Sequence, residues 1–297
     1  MKNMLYFALL LCAQLYSPAG YSAEPSASTS FQLGVIADCQ YADKADRDSL
    51  LFRSCPAKLR AALADLNGQQ LEATVQLGDL IDEDMASFAV MQPILAQSLA
   101  PLHHVLGNHD FSIADEHKNN VTGLLGMPAR YYHFDIRDWR FIVLDGTDVS
   151  HYGWPKDSPQ HQRNVQLIAR QYATGENWNG AIGAEQLSWL AAQLTQADSE
   201  GKKVALLSHF ALYPLDHHLL WNHQEVMALI SGHPSVKLWL NGHNHKGGYG
   251  QLHGIHFVTL HGMLNTAETA YSIVTFTQDT VHITGKGRQP DLVLPLR

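Results

Sequence analysis

At 297 residues, with 45% hydrophobic and 16% charged residues, the chain has material for one large core and lacks the composition of a disordered or fibrous protein. A formal net charge of −8 argues against the basic stripe by which proteins grip nucleic-acid phosphates. Histidine, at 18 residues, exceeds what stability alone requires and points to metal or proton chemistry.

Residues 1–23 read as a secretory signal peptide, because Lys2 precedes an apolar run from Met4 to Tyr16 and then small residues as far as Ala23. The run falls short of the roughly 20 residues of a membrane span, so cleavage near Ala19 to Ala23 is expected rather than stable insertion. Export to the periplasm or the medium follows. Cys12 lies inside this leader behind Leu10 and Leu11, which do not suit a lipoprotein cleavage site. Residues 24–30 form a polar, flexible tail, and residues 31–297 one domain without repeat or linker. The remaining cysteines, Cys39 and Cys55, admit either a disulfide or two thiols; a bridge would stiffen the loop around Cys39.

Within that domain, short apolar strands alternate with amphipathic helices. FQLGVIAD is followed by a helix through Leu59, Leu63 and Leu66, then ATVQLGD, a helical stretch from Phe88, and HHVLGNHD. RFIVLDG, a helix with Leu187, Leu190 and Leu194 on one face, KKVALLSH, KLWLNGHNH and HFVTLHG come next, with two antiparallel strands near the C-terminus. Such alternation predicts parallel β-α-β units in an α/β fold. The strands end in polar residues, where an α/β sheet places its ligand crevice. Those ends hold Asp38 and Gln40, Asp79 and Asp82, Asn108 and His109, His209, and His243 and His245.

Taken singly, each fragment has an ordinary explanation. A strand-end aspartate caps or turns the chain, GNHD can be a hydrogen-bonded turn, GHNH a surface loop, and His209 a satisfied histidine. Their conjunction decides for metal chemistry. Oxygen and imidazole donors from separate loops, without cysteine, suit manganese, iron, zinc or magnesium.

The order GDxxD, GNHD, SH, GHxH resembles the calcineurin-like metallophosphoesterases. The match to manganese-dependent ADP-ribose/CDP-alcohol diphosphatases runs through GVIADCQYAD, VQLGDLID, NWNGAIGAEQLSWL, SHFALYP, LLWN, GHNHKGGY and GKGRQPD. The resemblance implies a four-layer α/β/β/α sandwich, two mixed sheets flanked by helices, holding two divalent ions, manganese first among them. By the same resemblance Asp79 bridges the ions, with Asp38, Gln40 and His245 completing one site and Asn108, His209 and His243 the other. His109 then faces the leaving-group oxygen and Asp82 orients its ring. Two such ions, about 3.5 to 4 Å apart, activate a shared water and polarise phosphoryl oxygens together. Gln40 departs from the histidine usual in the superfamily, and its harder amide oxygen favours manganese or magnesium; as a loop residue it would instead hydrogen-bond the ligands.

Substrate contacts are expected among the aromatic residues Tyr41, Phe111, Tyr213, Trp221 and Tyr249, which otherwise serve packing, and at Gly247 and Gly248, whose alternative is a plain turn. Lys246 either meets the diphosphate or is a solvated surface residue. Asn179, Gly180, Glu185 and Gln186 read as a helix entry. The expected reaction splits a nucleoside diphosphate-linked compound into two phosphomonoesters. Other readings are a cyclic nucleotide phosphodiesterase, a general phosphomonoesterase, a catalytically silent metal- or nucleotide-binding protein and, least of all, a nuclease. The partner implied is a small nucleotide substrate, with no nucleic acid and no protein partner inferable.

Overall fold

The computed structural model describes Met1 and residues 30–296. The signal peptide and tail expected over 1–30 therefore lie outside the described residues, apart from Met1 and Ser30. No helix among the described residues is long and apolar enough to cross a membrane.

Strand β1 (Phe31–Ile36) is followed by α1 (Cys55–Asn67), β2 (Leu71–Gln76), α2 (Met85–Leu95) and β3 (Leu102–His104). The short helix α3 (Val121–Leu124) leads to β4 (Tyr132–Ile136), β5 (Trp139–Val143) and α4 (Pro159–Gln171). Next come α5 (Ala184–Glu200), β6 (Lys203–Leu207), α6 (His223–Ser231) and β7 (Val236–Asn241). The chain closes with β8 (Lys246–Leu252), β9 (Ile255–His261), β10 (Ala270–Phe276), β11 (Thr280–Gly287) and β12 (Leu292–Pro295).

These strands form two six-stranded mixed sheets, ordered β12-β11-β10-β1-β2-β3 and β4-β5-β6-β7-β9-β8. In the first, β1, β2 and β3 run parallel while β10 to β12 add antiparallel. In the second, β5, β6, β7 and β9 are parallel, with β4 and β8 antiparallel at the edges. The sheets face each other through aromatic rings. Trp139 and Phe141 of the second sheet meet Phe276 of the first edge-on at 4.8 and 5.3 Å, and Phe276 in turn stacks on its cross-strand partner Phe31 at 4.8 Å. Leu59, Leu63 and Leu66 on one face of α1 join this core, whereas Leu190 and Leu194 of α5 and Val226 and Ile230 of α6 pack on the second sheet. The expected four-layer sandwich results.

Every strand and helix read from the sequence is present. Strands β4, β8 and β12 and helices α3, α4 and α6 have no counterpart among the expected elements. Strand β8, KGGYGQL, has three glycines and no apolar alternation, so its own propensity is poor and pairing with β9 makes it a strand. Helix α4 buries only Asn164 and Ile168, its apolar face being narrow in an otherwise polar segment.

Candidate metal centre

The loops after β1, β2 and β3 lock together through their backbones. Gln40 N–H donates to the Asp79 carbonyl at 2.8 Å, Tyr41 N–H to that of Leu80 at 3.1 Å, and Asp82 N–H to that of Tyr41 at 2.8 Å. Asp110, fully buried, fastens the third loop: its carboxylate accepts from the backbone amides of Gly107 (3.0 Å), Asp79 (3.1 Å) and Leu80 (2.9 Å). The glycines of two motifs permit the close approach. A Cβ on Gly107 would stand 2.2 Å from Asp79 Oδ1, and one on Gly242 2.6 Å from Asp38 Oδ2. A disulfide joins Cys39 to Cys55 at the start of α1, with Cα atoms 5.4 Å apart.

Asp38, Gln40, Asp79 and His243 all take left-handed backbone angles, with φ of 50°, 47°, 55° and 68°. Such conformations cost about 1 kcal/mol or more per residue outside glycine and gather at functional sites. The ligand positions are thus strained positions held by their surroundings.

The seven expected metal ligands converge. His209 Nε2 lies 3.2 Å from Asn108 Oδ1, 3.2 Å from Asp79 Oδ2 and 3.1 Å from His243 Nδ1. One ring nitrogen carries at most one proton, so this knot of lone pairs cannot be satisfied by hydrogen bonds alone and has the form of a cation's coordination shell. Gln40 Nε2 approaches the same Asp79 Oδ2, at 3.1 Å, and His245 Nε2 is 3.6 Å from Asp38 Oδ1. A half-turn of the Gln40 terminal bond would exchange its amide nitrogen for the oxygen at that position, the atom an ion would need.

The far nitrogen of each inner imidazole is fixed. His209 Nδ1 donates to the Leu77 carbonyl at 2.8 Å, leaving Nε2 for the ion. His243 Nε2 bonds Asn179 Oδ1 at 2.8 Å, and Asn179 Nδ2 in turn donates to the His217 carbonyl at 2.7 Å. Asn179 therefore orients a ligand, which the helix-entry reading had missed. Gln186 of the same stretch ties down Asp145 through both its amide atoms.

Charge follows from this crowding. Burial, reinforced by the neighbouring Asp79 carboxylate, raises Asp38 to about 7 and Asp110 likewise to about 7. Burial also works to raise Asp79, but His209 and His109 outweigh it and hold the group below its ordinary value. Burial opposes charging of His209 and His109, yet Asp79 lifts both to about 9, aided at His109 by Asp82. His243 and His245 are driven down, His245 to about 4, mainly by burial.

His109 stands beside the ligands. Its Nδ1 lies 3.1 Å from Asp82 Oδ1, so Nε2 is free, and Asp82 is held on its other side by Lys44. Gln40, Asp79, Asn108, His243 and His245 open, together with His109 and Asp82, into a cavity of about 570 Å³, with Asp38 and His209 buried behind them. Its outer wall carries Lys44, Arg47, Leu50, Phe52, Trp178 and His218. None of the expected substrate residues lines it. Phe111 is buried beneath Arg130, and Trp221 stacks on Tyr172 and donates to the Glu176 carbonyl. Tyr41 packs on the core, Tyr213 meets Phe257, and Tyr249 bonds His256 on exposed β8. Gly247 and Gly248 belong to that edge strand, where Lys246 is exposed. Proximity in sequence to a ligand did not bring these residues to the site, because side chains next to a strand end alternate between core and crevice. Trp178, within the NWNG stretch, is 45% exposed, the signal that composition alone could not give.

Residues 31–247 match the family described as calcineurin-like phosphoesterase. The chain is 31% identical to the manganese-dependent ADP-ribose/CDP-alcohol diphosphatase of Mus musculus, over 89% of this chain and 93% of that protein. It is 29% identical to the one of Bos taurus, over 95% and 99% respectively. A crystal structure of a dimetal phosphatase from Danio rerio superposes with a TM-score of 0.81 at 26% identity, covering 90% of this chain and 99% of that one.

Proposed function

Because the chain belongs to the calcineurin-like phosphoesterase family, we propose that it is a manganese-dependent diphosphatase acting on ADP-ribose-like and CDP-alcohol-like compounds. The observation that carries the reading is the convergence of Asp79, His209 and His243 on one point beside a dyad of His109 and Asp82. Asp38, Gln40, Asp79 and His245 would hold one ion and Asp79, Asn108, His209 and His243 the other. Bound there, the ions supply Lewis acidity and an activated water. The protein's residues do the rest. Asp82 keeps the His109 ring turned so that Nε2 can give a proton to, or hydrogen-bond, the departing oxygen. Asn179 and the Leu77 carbonyl set the imidazoles before any ion arrives.

Export agrees with this reading: the leader sequence calls for it, and the Cys39–Cys55 bridge supports an oxidising compartment. The test is product analysis with manganese. ADP-ribose should yield AMP and ribose 5-phosphate in equal amounts; inorganic phosphate as the main product would replace the reading by a phosphomonoesterase.

A further inference from the structure

Beyond the ligands, the Asp82 side of the cavity is built from a single stretch between β1 and α1. Lys44 Nζ reaches the carboxylates of Asp82 and Glu83 and lies 4.3 Å above the Phe52 ring. Arg47 is fixed at its backbone by reciprocal hydrogen bonds with Leu50, of 3.0 and 2.8 Å. Its guanidinium makes no hydrogen bond or ion pair among the described residues, although the neighbouring Arg53 takes Asp43 at 2.6 Å. Two cations on a pinned backbone thus flank the crevice where His109 presents Nε2.

We infer that this wall receives the departing phosphate, so that the preferred leaving group is an anionic phosphate monoester rather than a neutral alcohol. The inference rests on the diphosphatase reading and adds a direction to it. In the step, the oxygen of water bonds the phosphorus held at the metal ligands. The bond from that phosphorus to the bridging oxygen breaks, the electron pair leaves with the second phosphate, and the protons of water pass to solvent at neutral pH. Lys44 lies inside, beside Asp82, and Arg47 outside, where its planar fork suits two phosphate oxygens.

Arg47→Ala isolates the wall, since Arg47 touches neither the ligands nor His109. Relative to wild type, kcat/KM for ADP-ribose should fall roughly fivefold more than that for 4-nitrophenyl phosphate, chiefly through KM, with Arg47→Lys recovering part. Equal losses on the two substrates would overturn the inference. Calorimetry on the manganese-loaded protein gives a readout independent of turnover. The α,β-methylene analogue of ADP should bind the alanine variant more weakly while AMP binding changes less, and parallel changes in both would again overturn it. Failure of the wild type to cleave ADP-ribose would sink the diphosphatase reading instead, leaving the binding comparison to decide the role of Arg47.

Discussion

The two sheets bring different chemistry to their common edge. Loops of the first carry Asp38, Gln40, Asp79 and Asn108, all oxygen donors, while loops of the second carry only the imidazoles of His209, His243 and His245. The means of holding them differ as well. On the first side, positions are set by main chain, through zipped loops and the amide-binding Asp110, with Asp38, Gln40 and Asp79 at left-handed backbone angles that only His243 shares among the imidazoles of the second side. On the second, the inner rings are aimed by what binds their far nitrogen, the Leu77 carbonyl and Asn179. The halves also interlock, since Leu77 belongs to the first side and the His243 amide donates to Asp38 at 3.0 Å. Neither donor set is complete or correctly aimed without the other.

The sharpest break in that comparison is Asp79→Asn, which removes the charge facing both donor sets. Turnover should fall on the order of 10⁴-fold, with loss of bound metal by elemental analysis; near-normal activity and metal content would remove Asp79 from the bridging role. Next comes His109→Ala, which leaves both donor sets intact. Loss on an alkyl phosphate ester should approach 10²-fold, the lower end of about 10² to 10⁴ for general acid catalysis, and be smaller on ADP-ribose, whose leaving phosphate is a weaker base. Kinetics on both substrates decide it, and equal losses would make His109 a positioning group.

Asn179→Ala probes the second side alone. It should weaken manganese affinity or activity about 10-fold, measured by metal titration, while leaving the first side's backbone untouched. An unaltered titration would mean that the imidazole needs no aim.

The smallest effect is a pH dependence of the metal-free protein. His109 and His209 titrate near 9 when folded against an ordinary 6.5, so the stability they contribute is whole below 6.5 and lost as pH rises towards 9. Lys58, lowered to about 8 mainly by burial, acts in the opposite sense only above that value. The melting temperature of chelated protein should therefore drop by roughly 5 °C between pH 7 and 8.5. Manganese-loaded protein should show a smaller drop, because His209 as a ligand would already be neutral while His109, which is not a ligand, still titrates.

The same contrast explains what the sequence could convey. The ligands sit in short motifs whose glycines abut them, and the strands leading to them are apolar runs, so both fold and donor set can be read in one dimension. Asp110 was in plain view inside GNHD, but its task, binding the amides of another loop, is visible only once the loops meet. Asn179 acts on His243 across 64 residues of sequence. Lys44, Arg47 and Phe52 have no periodicity or motif that marks them as cavity wall, and Trp178 lies in a matched stretch that does not reveal which way its ring turns. The aromatic residues adjacent to ligands in sequence turn elsewhere, Phe111 to the core and Tyr249 to the exposed edge strand β8.

The disulfide has a consequence for how such an enzyme can change. Cys39 and Cys55 close a covalent ring that begins between two donor residues, ends at α1 and contains Lys44, Arg47, Leu50 and Phe52. Closing a ring of about 15 residues stabilises a fold by about 3 kcal/mol in the chain-entropy view, and doubling a loop's length costs only about 0.6 kcal/mol. The ring is thus a cassette. Its interior beyond Gln40 and Tyr41 can be rewritten, lengthened or recharged to suit another leaving group, while its ends keep Asp38, Gln40 and the start of α1 where the chemistry requires them.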